Sequence, residues 1–167
     1  MRKYITVFMI ALGFILASSA ANAFDYEDWI PLLPDSIGEL DKQGEPEGMN
    51  MEESGQSGST VEQEYSDGSG KDARLTILTG SGAPVIKEFK TLQKFNMETD
   101  ERKVKTLEIS GHKAVLDLDK KGGKSNLMIS VQDKTLVVIG TKSFDSEKDL
   151  TSLGNDVPLS EIADSVK

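Results

Sequence analysis

The sequence of 167 residues contains no cysteine, and this absence excludes several kinds of chemistry at once. Disulfides, thiol catalysis, cysteine-ligated zinc and iron–sulfur clusters all depend on that side chain. Lipid attachment through a cysteine is excluded for the same reason. The chain has a single histidine, His112, so only carboxylates remain to complete a histidine-based metal site. The sequence therefore predicts no cofactor.

Long apolar stretches are also scarce. The one nearly unbroken run is Ile5–Leu16, which is shorter than the roughly 20 apolar residues that a membrane-spanning helix needs. Two basic residues precede the run, and the small residues after it end in Ala-Asn-Ala at positions 21–23, an A-x-A cleavage pattern. Residues 1–23 are therefore predicted to be a bacterial signal peptide cleaved after Ala23, with a retained membrane anchor as the alternative. The product would be periplasmic in a Gram-negative cell, and otherwise secreted.

Positive charge is in short supply. Beyond position 23 the chain holds 17 basic residues against 28 acidic ones, a net charge of −11. Such a chain is repelled by phosphate backbones and anionic lipid heads, so nucleic acid is not an expected partner. The acidity indicates solubility first, and it leaves open an attraction for divalent cations or a basic partner. The 144 residues after position 23 suffice for one domain.

The first part of the expected mature chain is irregular in pattern. Residues 24–40 carry Trp29 among aliphatic residues, but two prolines forbid a long helix, which predicts a short helical arm docked on the main body. Residues 42–59 are polar and rich in glycine, which predicts a linker, a long loop or at most an edge strand through Met49–Met51. The predicted organisation is a signal peptide (1–23), an N-terminal arm with a polar linker (24–59) and an α+β domain (60–167).

Strand and helix patterns become clear from residue 60 onward. Six short strands are predicted, at 61–65, 74–78, 104–109, 112–119, 127–131 and 136–139. Pro84–Asn96 has the spacing of an amphipathic helix, Ser146 opens a short helix that Gly154 closes, and residues 158–166 form a last helix. Short connections imply antiparallel pairing. The predicted fold class is α+β, with an antiparallel sheet of about six strands and two or three helices stacked on one face.

This order of elements resembles the PsbP/Mog1-like α/β/α fold. The strand pair Ile109–Asp119 and the stretch Leu127–Val166 carry the likeness, which covers roughly two-thirds of the expected mature chain and rests on element order rather than on a signature motif. Members of that fold mostly act as binding or assembly factors, so the resemblance implies a role without catalysis. A fold alone does not determine function, which depends on the residues of a specific site.

The residues that could carry catalysis do not form a recognised set. His112 could act as a base with Ser110 as nucleophile and Asp117 as the orienting acid. However, Asp117 shares its strand face with Lys113, and the chain has no G-x-S-x-G elbow. The pattern favours an ordinary surface imidazole at the start of a strand. A hydrolase that uses His112 is the least favoured function.

Two loops allow a ligand-binding interpretation beside a plain structural one. Residues 67–72 resemble a calcium loop, but Lys71 stands where a ligand oxygen belongs and no bidentate glutamate follows, so a hairpin turn is favoured. Residues 80–84 connect a strand to a helix, where a phosphate can bind, yet they lack the Walker lysine and the G-x-G-x-x-G spacing. A periplasmic protein that binds a small ligand or a divalent cation is the second hypothesis.

Two features indicate a partner surface. Lys113, Lys120, Lys121 and Lys124 place four positive charges near one hairpin of an acidic protein, where they could meet an anionic surface or form a solvated loop tip. Trp29 could contact a partner from the arm, or it could cover an open edge of the core. The favoured prediction is an exported, soluble, non-catalytic binding or assembly module of the bacterial cell envelope. Its partner would be an envelope protein or surface, and no integral membrane segment would remain after cleavage.

Overall fold

The structure is a computed structural model that describes residues 25–53, 56–80, 83–94 and 96–167. The predicted signal peptide, two residues of the loop at 80–84 and Phe95 in the predicted helix lie outside these ranges. The elements in chain order are a 3₁₀ helix (Tyr26–Leu32), β1 (Ser36–Ile37), β2 (Leu40–Glu53), β3 (Gln56–Ser66), β4 (Asp72–Thr79), α1 (Pro84–Leu92), β5 (Met97–Glu98), β6 (Arg102–Ile109), β7 (His112–Asp119), β8 (Lys124–Gln132), β9 (Thr135–Lys142), α2 (Glu147–Asn155) and α3 (Leu159–Ser165).

The nine strands of the described ranges form one antiparallel sheet in the order β1-β2-β3-β4-β9-β8-β7-β6-β5. The first four strands run as a meander from one edge. The chain then crosses through α1 to the far edge, and the remaining five strands return until β9 pairs with β4. This central pair keeps an unbroken register from Asp72↔Lys142 to Thr79↔Thr135. It joins two meanders that come from separate parts of the chain.

The predicted α+β fold with a sheet of about six strands is wrong, because the protein is mostly β. The six predicted strands are present, but the sheet also contains β1 and β5, which the sequence pattern does not indicate, and β2, which it allows only as an edge strand through Met49–Met51. β1 and β5 are only two residues long, too short for a recognisable alternation. The described ranges contain four short helices, and α1 ends at Leu92 rather than at Asn96.

β2 forms where the sequence predicts a polar linker. It has few apolar residues, but it pairs with β3 along its length, so hydrogen bonding to a neighbour makes it a strand. A bulge interrupts the register between Gln43 and Glu47. The buried side chain of Gln63 donates from Nε2 to the carbonyl of Gln43 at 2.7 Å, which provides a partner for a backbone acceptor beside the bulge. The predicted boundary at residue 59 therefore falls inside β3.

Helices cover both faces of the sheet, whereas the sequence predicts them on one face. The 3₁₀ helix, α2 and α3 pack on what we call the core face, over a cluster that includes Leu75, Leu116, Leu127 and Ile139. α1 packs on the opposite face, here called the α1 face, where its Ile86 and Phe89 join a smaller apolar cluster. The crossover through α1 is the reason, because it carries the chain over the α1 face from β4 to the far edge.

Alternation along the central strands decides which residues meet each layer. In β8, Leu127 and Ile129 belong to the core-face cluster and Met128 belongs to the α1-face cluster. The four consecutive aliphatic residues Leu136–Ile139 are predicted to lie centrally, with both faces covered. The central position is confirmed, because β9 lies between β4 and β8. Leu136 and Val137 are buried against opposite layers, whereas Val138 is only partly buried.

Glu147, the first residue of α2, ties this helix to β6. Its carboxylate lies 2.8 Å from Nζ of Lys103 and 2.7 Å from Nζ of Lys105. Hydrogen bonds from these two ammonium groups lower the pKa of Glu147 from its usual value of 4.5. Because the pKa is lower in the folded state, this stabilisation is present above the unfolded pKa. It is lost as the pH falls through the folded pKa.

We expect the free energy of unfolding to decrease as the pH falls below about 4.5, and the decrease to be smaller in Glu147→Gln, which has no carboxylate to protonate. Urea unfolding of both proteins near neutral pH and in acid measures this difference. Glu161→Gln is the matched control, because Glu161 is an exposed acid of α3 without an ion pair to any described residue. Equal acid sensitivity of the two variants would show that the bridge has no role.

Candidate functional site: an open groove on the sheet

The four predicted partner-binding lysines do not form one patch. Lys113 lies near the start of β7 and the other three lie beyond its end, so about 23 Å of strand separates Lys113 from Lys120. Lys120 and Lys121 are each paired with a glutamate. Of the four, only Lys113 and Lys124 have no ion-pair partner in the described part of the chain. The structure therefore leaves Lys124 as the one unpaired lysine at that hairpin.

Trp29 lies in the core and is 0% exposed. Its indole Nε1 donates to Oγ of Ser165 at 3.1 Å, which connects the 3₁₀ helix to α3. The sequence allows either a partner contact or a core position for this ring. The structure places it in the core, so the ring is not accessible to a partner.

The three residues of the possible hydrolase site do not converge. His112 and Asp117 are five positions apart on β7, so their side chains lie on opposite faces of the sheet. Asp117 is instead bound by Arg102, whose Nε donates to Oδ1 at 2.6 Å and whose Nη2 bonds to Oδ2. Oγ of Ser110 donates to Oδ1 of Asn155 at 3.2 Å. These residues cannot act together as nucleophile, base and acid.

The loop at 67–72 is a hairpin turn. Hydrogen-bond donors within the loop bind the carboxylate of Asp67, its first residue. Oδ1 of Asp67 accepts from the backbone N–H groups of Ser69 at 2.8 Å and Lys71 at 3.2 Å, and Oδ2 accepts from the Ser69 hydroxyl at 2.6 Å. These bonds, led by the Ser69 hydroxyl, lower the pKa of Asp67. Across the four described ranges, no group of three or more histidine, cysteine, aspartate and glutamate residues could hold a metal ion.

A wide groove of about 660 Å³ lies on the α1 face, over β3, β4, β9 and β8. It exists because α1 is only nine residues long and covers the apolar part of this face, around Leu78, Met128 and Leu136. The part of the face beyond that apolar cluster stays open. The residues that line it from this face are Gln43, Glu62, Glu64, Ser66, Asp72, Arg74, Thr76, Lys124, Asn126, Val138, Gly140 and Lys142.

The centre of the groove is a row of residues that pair across neighbouring strands. Glu64, Arg74, Gly140 and Asn126 follow one another across β3, β4, β9 and β8. Arg74 is engaged by two carboxylates, with Nη2 at 2.7 Å from Glu64 and Nη1 at 3.5 Å from Glu62. The hydrogen bond to Glu64 and the charge of Glu62 raise the pKa of Arg74. These three charges sum to −1, so the centre of the groove is slightly acidic.

Gly140 and Asn126 form the floor of this row. A Cβ atom at position 140 would lie only 3.3 Å from Oδ1 of Asn126, so the glycine lets the Asn126 amide lie close to the backbone of β9. The side-chain amide of Asn126 is partly buried and has no hydrogen-bond partner in the part of the chain that the structure describes. An amide carries both a donor and an acceptor. A ligand in the groove could use both.

The end of the groove is cationic. Lys142 and Lys124 lie directly opposite each other on β9 and β8, and both are exposed. Asp72 lies across from Lys142 on β4, but its Oδ1 accepts from the Ser66 hydroxyl at 2.9 Å and it forms no ion pair with Lys142. Like charges directly opposite each other destabilise a sheet, so the two lysines do not stabilise each other. Neither has an ion-pair partner within the described ranges, so both ammonium groups are available to an external anion.

Among the groove residues, the sequence pattern indicates Lys124 as a partner contact and Asp72 only as the last residue of the possible calcium loop. Arg74, Asn126, Gly140 and Lys142 are missed, although polar or small residues at alternate positions of the predicted strands are a signal that one strand face is uncovered. What the pattern cannot supply is the pairing of β4 with β9, which brings these positions together.

Comparison of the chain with protein-family models, with curated proteins and with solved structures gave no significant match. The resemblance to the PsbP/Mog1-like fold therefore stays a prediction. No helix in the described ranges is long and apolar enough to cross a membrane. The residues that line the groove are therefore the basis for inferring its function.

Proposed function

We propose that the protein is an exported, non-catalytic binding module of the bacterial cell envelope that holds a partner in the open groove of its sheet. The groove itself carries this proposal. It is a concave surface across four strands, with an amide on its floor and two lysines at its end that have no side-chain partner within the described ranges. Concave surfaces with a few convergent polar groups are the usual places where proteins bind ligands.

The chemistry of the groove supports binding rather than catalysis. The ion pairs of Arg74 engage both glutamates of the groove, so neither stands free as a general base. His112 pairs across the sheet with Ile109, which belongs to the core-face cluster, so the histidine lies on the opposite face from the groove. The groove therefore supplies charge and hydrogen bonds, and its described lining includes neither a histidine nor a cysteine.

The export part of the proposal rests on the pattern of residues 1–23, with its basic start, apolar run and A-x-A site. Intact-mass spectrometry of the protein recovered from cells tests it, because cleavage after Ala23 leaves a chain that begins at Phe24. A full-length chain in the recovered protein would contradict the predicted cleavage.

Photo-cross-linking in living cells tests the groove as the binding surface. Benzoylphenylalanine replaces Thr76, which lies partly exposed in the groove, and in a control strain it replaces Lys148, which is exposed on α2 over the core face. We expect irradiation to give a discrete adduct from position 76 and none of the same mass from position 148. No adduct from position 76, or the same adduct from both positions, would contradict the proposal.

A further inference from the structure

The charges of the groove indicate the chemistry of the partner. We infer that Lys124 and Lys142 bind a single side-chain carboxylate of an extended peptide segment in a partner protein, and that the Asn126 amide binds the backbone of the same segment. This inference rests on the proposed function, because it assigns the class of partner that the groove would hold.

The groove is locally balanced in a chain that is acidic overall. Its charged lining residues are three acids and three bases, Glu62, Glu64, Asp72, Arg74, Lys124 and Lys142, while the net charge of the chain is −9. The two glutamates and Arg74 form an ion-paired cluster with a net charge of −1. At the end of the groove, Asp72, Lys124 and Lys142 sum to +1, and neither lysine has an ion pair within the described ranges. One carboxylate from a partner would neutralise this end of the groove.

The same charges disfavour a polyanion. A phosphate, a nucleic acid or an anionic lipid surface would bring more negative charge toward Glu62, Glu64 and Asp72, and toward a chain that repels such surfaces. Arg74 is the one groove residue with a guanidinium fork suited to a phosphate, and its fork is occupied by the two glutamates. Lysine acts as a point charge and can bind a single carboxylate.

The spacing along β8 suits a peptide. Lys124 and Asn126 are two positions apart on the same face of the strand, about 6.6 Å along its axis. An extended peptide rises by a similar amount over two residues, so a side-chain carboxylate and a nearby backbone amide can reach the two groups together. The Asn126 amide offers the donor and acceptor that a peptide unit requires.

The test uses the isotope-labelled protein as processed in cells, with amide shifts followed by NMR. The first probe is a capped heptapeptide of glycine with one central glutamate, and the second has glutamine in place of that glutamate. We expect the glutamate peptide to shift the amides of Lys124, Asn126 and Gly140, and to bind at least roughly tenfold more tightly than the glutamine peptide. Equal binding of the two peptides would overturn the inference.

Two double variants with the same change of charge provide the matched comparison. Lys124→Glu/Lys142→Glu is expected to abolish the preference for glutamate. Lys113→Glu/Lys134→Glu, two exposed lysines outside the groove lining, is expected to keep it. The amide spectrum of each variant shows whether its fold is retained. If both variants lose the preference, general charge rather than the groove is responsible, and the inference fails.

Two further probes separate a peptide carboxylate from other anions. Inorganic phosphate and vesicles of phosphatidylglycerol are added at matched concentrations of anionic groups. If either shifts the groove amides as strongly as the glutamate peptide, the site is a general anion site and the peptide assignment is wrong. If the peptide test fails while the adduct from position 76 persists, the class of partner is wrong and the proposed function stands. If no adduct forms from position 76, the proposed function itself is wrong.

Discussion

Replacing Trp29 with alanine is expected to lower the free energy of unfolding by about 3–5 kcal/mol, the range for removal of a large aromatic side chain from a core. The ring is fully buried, and its N–H is bonded to Oγ of Ser165 on α3. Alanine would leave a cavity where the 3₁₀ helix, the sheet and α3 meet. Because Trp29 is the only tryptophan, urea unfolding has to be followed by circular dichroism rather than by tryptophan fluorescence.

Two milder variants separate the ring from its hydrogen bond. Trp29→Phe keeps an aromatic ring and loses the N–H donor, and Ser165→Ala removes the acceptor. We expect the serine variant to lose about 1 kcal/mol, since its hydroxyl also donates to the carbonyl of Ile162 at 2.7 Å. The phenylalanine variant should fall between the serine and alanine variants. An unchanged stability of Trp29→Ala would contradict the core position and restore a partner-binding role for this residue.

Replacing Gly154 with valine is expected to lower the free energy of unfolding by about 1–3 kcal/mol, because it overpacks the contact between α2 and the core face. A Cβ atom at this position would lie 2.7 Å from Cδ2 of Leu127 and 3.3 Å from side-chain carbons of Ile109 and Ile129. Valine adds two further methyl groups to that space. Urea unfolding of the variant and the parent protein measures the change.

Ser152→Val is the matched control, because Ser152 is an exposed residue of the same helix. It changes helix propensity without touching the sheet, so its effect should be a few tenths of a kcal/mol at most. Gly154→Ala should change the stability little, since a gain of about 1 kcal/mol in helix propensity offsets part of the crowding. If Gly154→Val were as stable as Ser152→Val, the close approach of α2 to the sheet would be disproved.

Gly154 also shows which features a sequence pattern can predict and which it cannot. The pattern correctly predicts a helix opened by Ser146, whose Oγ accepts from the backbone N–H of Asp149 at 3.3 Å. It interprets Gly154 as the residue that closes the helix, whereas α2 continues to Asn155 and Gly154 lies inside it. A cap depends on residues a few positions away, so the sequence shows it. A close approach depends on what packs against the residue, and the sequence does not show that.

The same contrast separates the strands that can be predicted from those that cannot. β7 and β8 have enough apolar residues at alternate positions to show their burial. β2 has almost none, and it becomes a strand because β3 supplies hydrogen-bond partners along its length. Pairing compensates for an unfavourable composition, and the neighbour that provides it cannot be identified from the residues of β2 alone.

The candidate site also depends on strand pairing that the sequence does not show. Lys124 stands out in the sequence because it belongs to a basic turn of an acidic chain. Lys142 does not, and its importance comes only from lying opposite Lys124 across β8 and β9. Arg74 and Gly140 join them because β4 pairs with β9, although the crossover and four other strands separate these segments in the chain.

The sequence by itself determined the local and compositional properties: the absence of thiol chemistry, the excess of acidic charge, the strands with clear alternation and the capped start of α2. Only the tertiary structure decided the order of nine strands, the placement of helices on both faces and the part of the α1 face that stays open. The physical reason is that a helix cap or an alternating strand depends on near neighbours, whereas pairing between distant strands depends on the whole chain. The groove is formed by that long-range pairing and by the short length of α1, which leaves the polar half of the face uncovered.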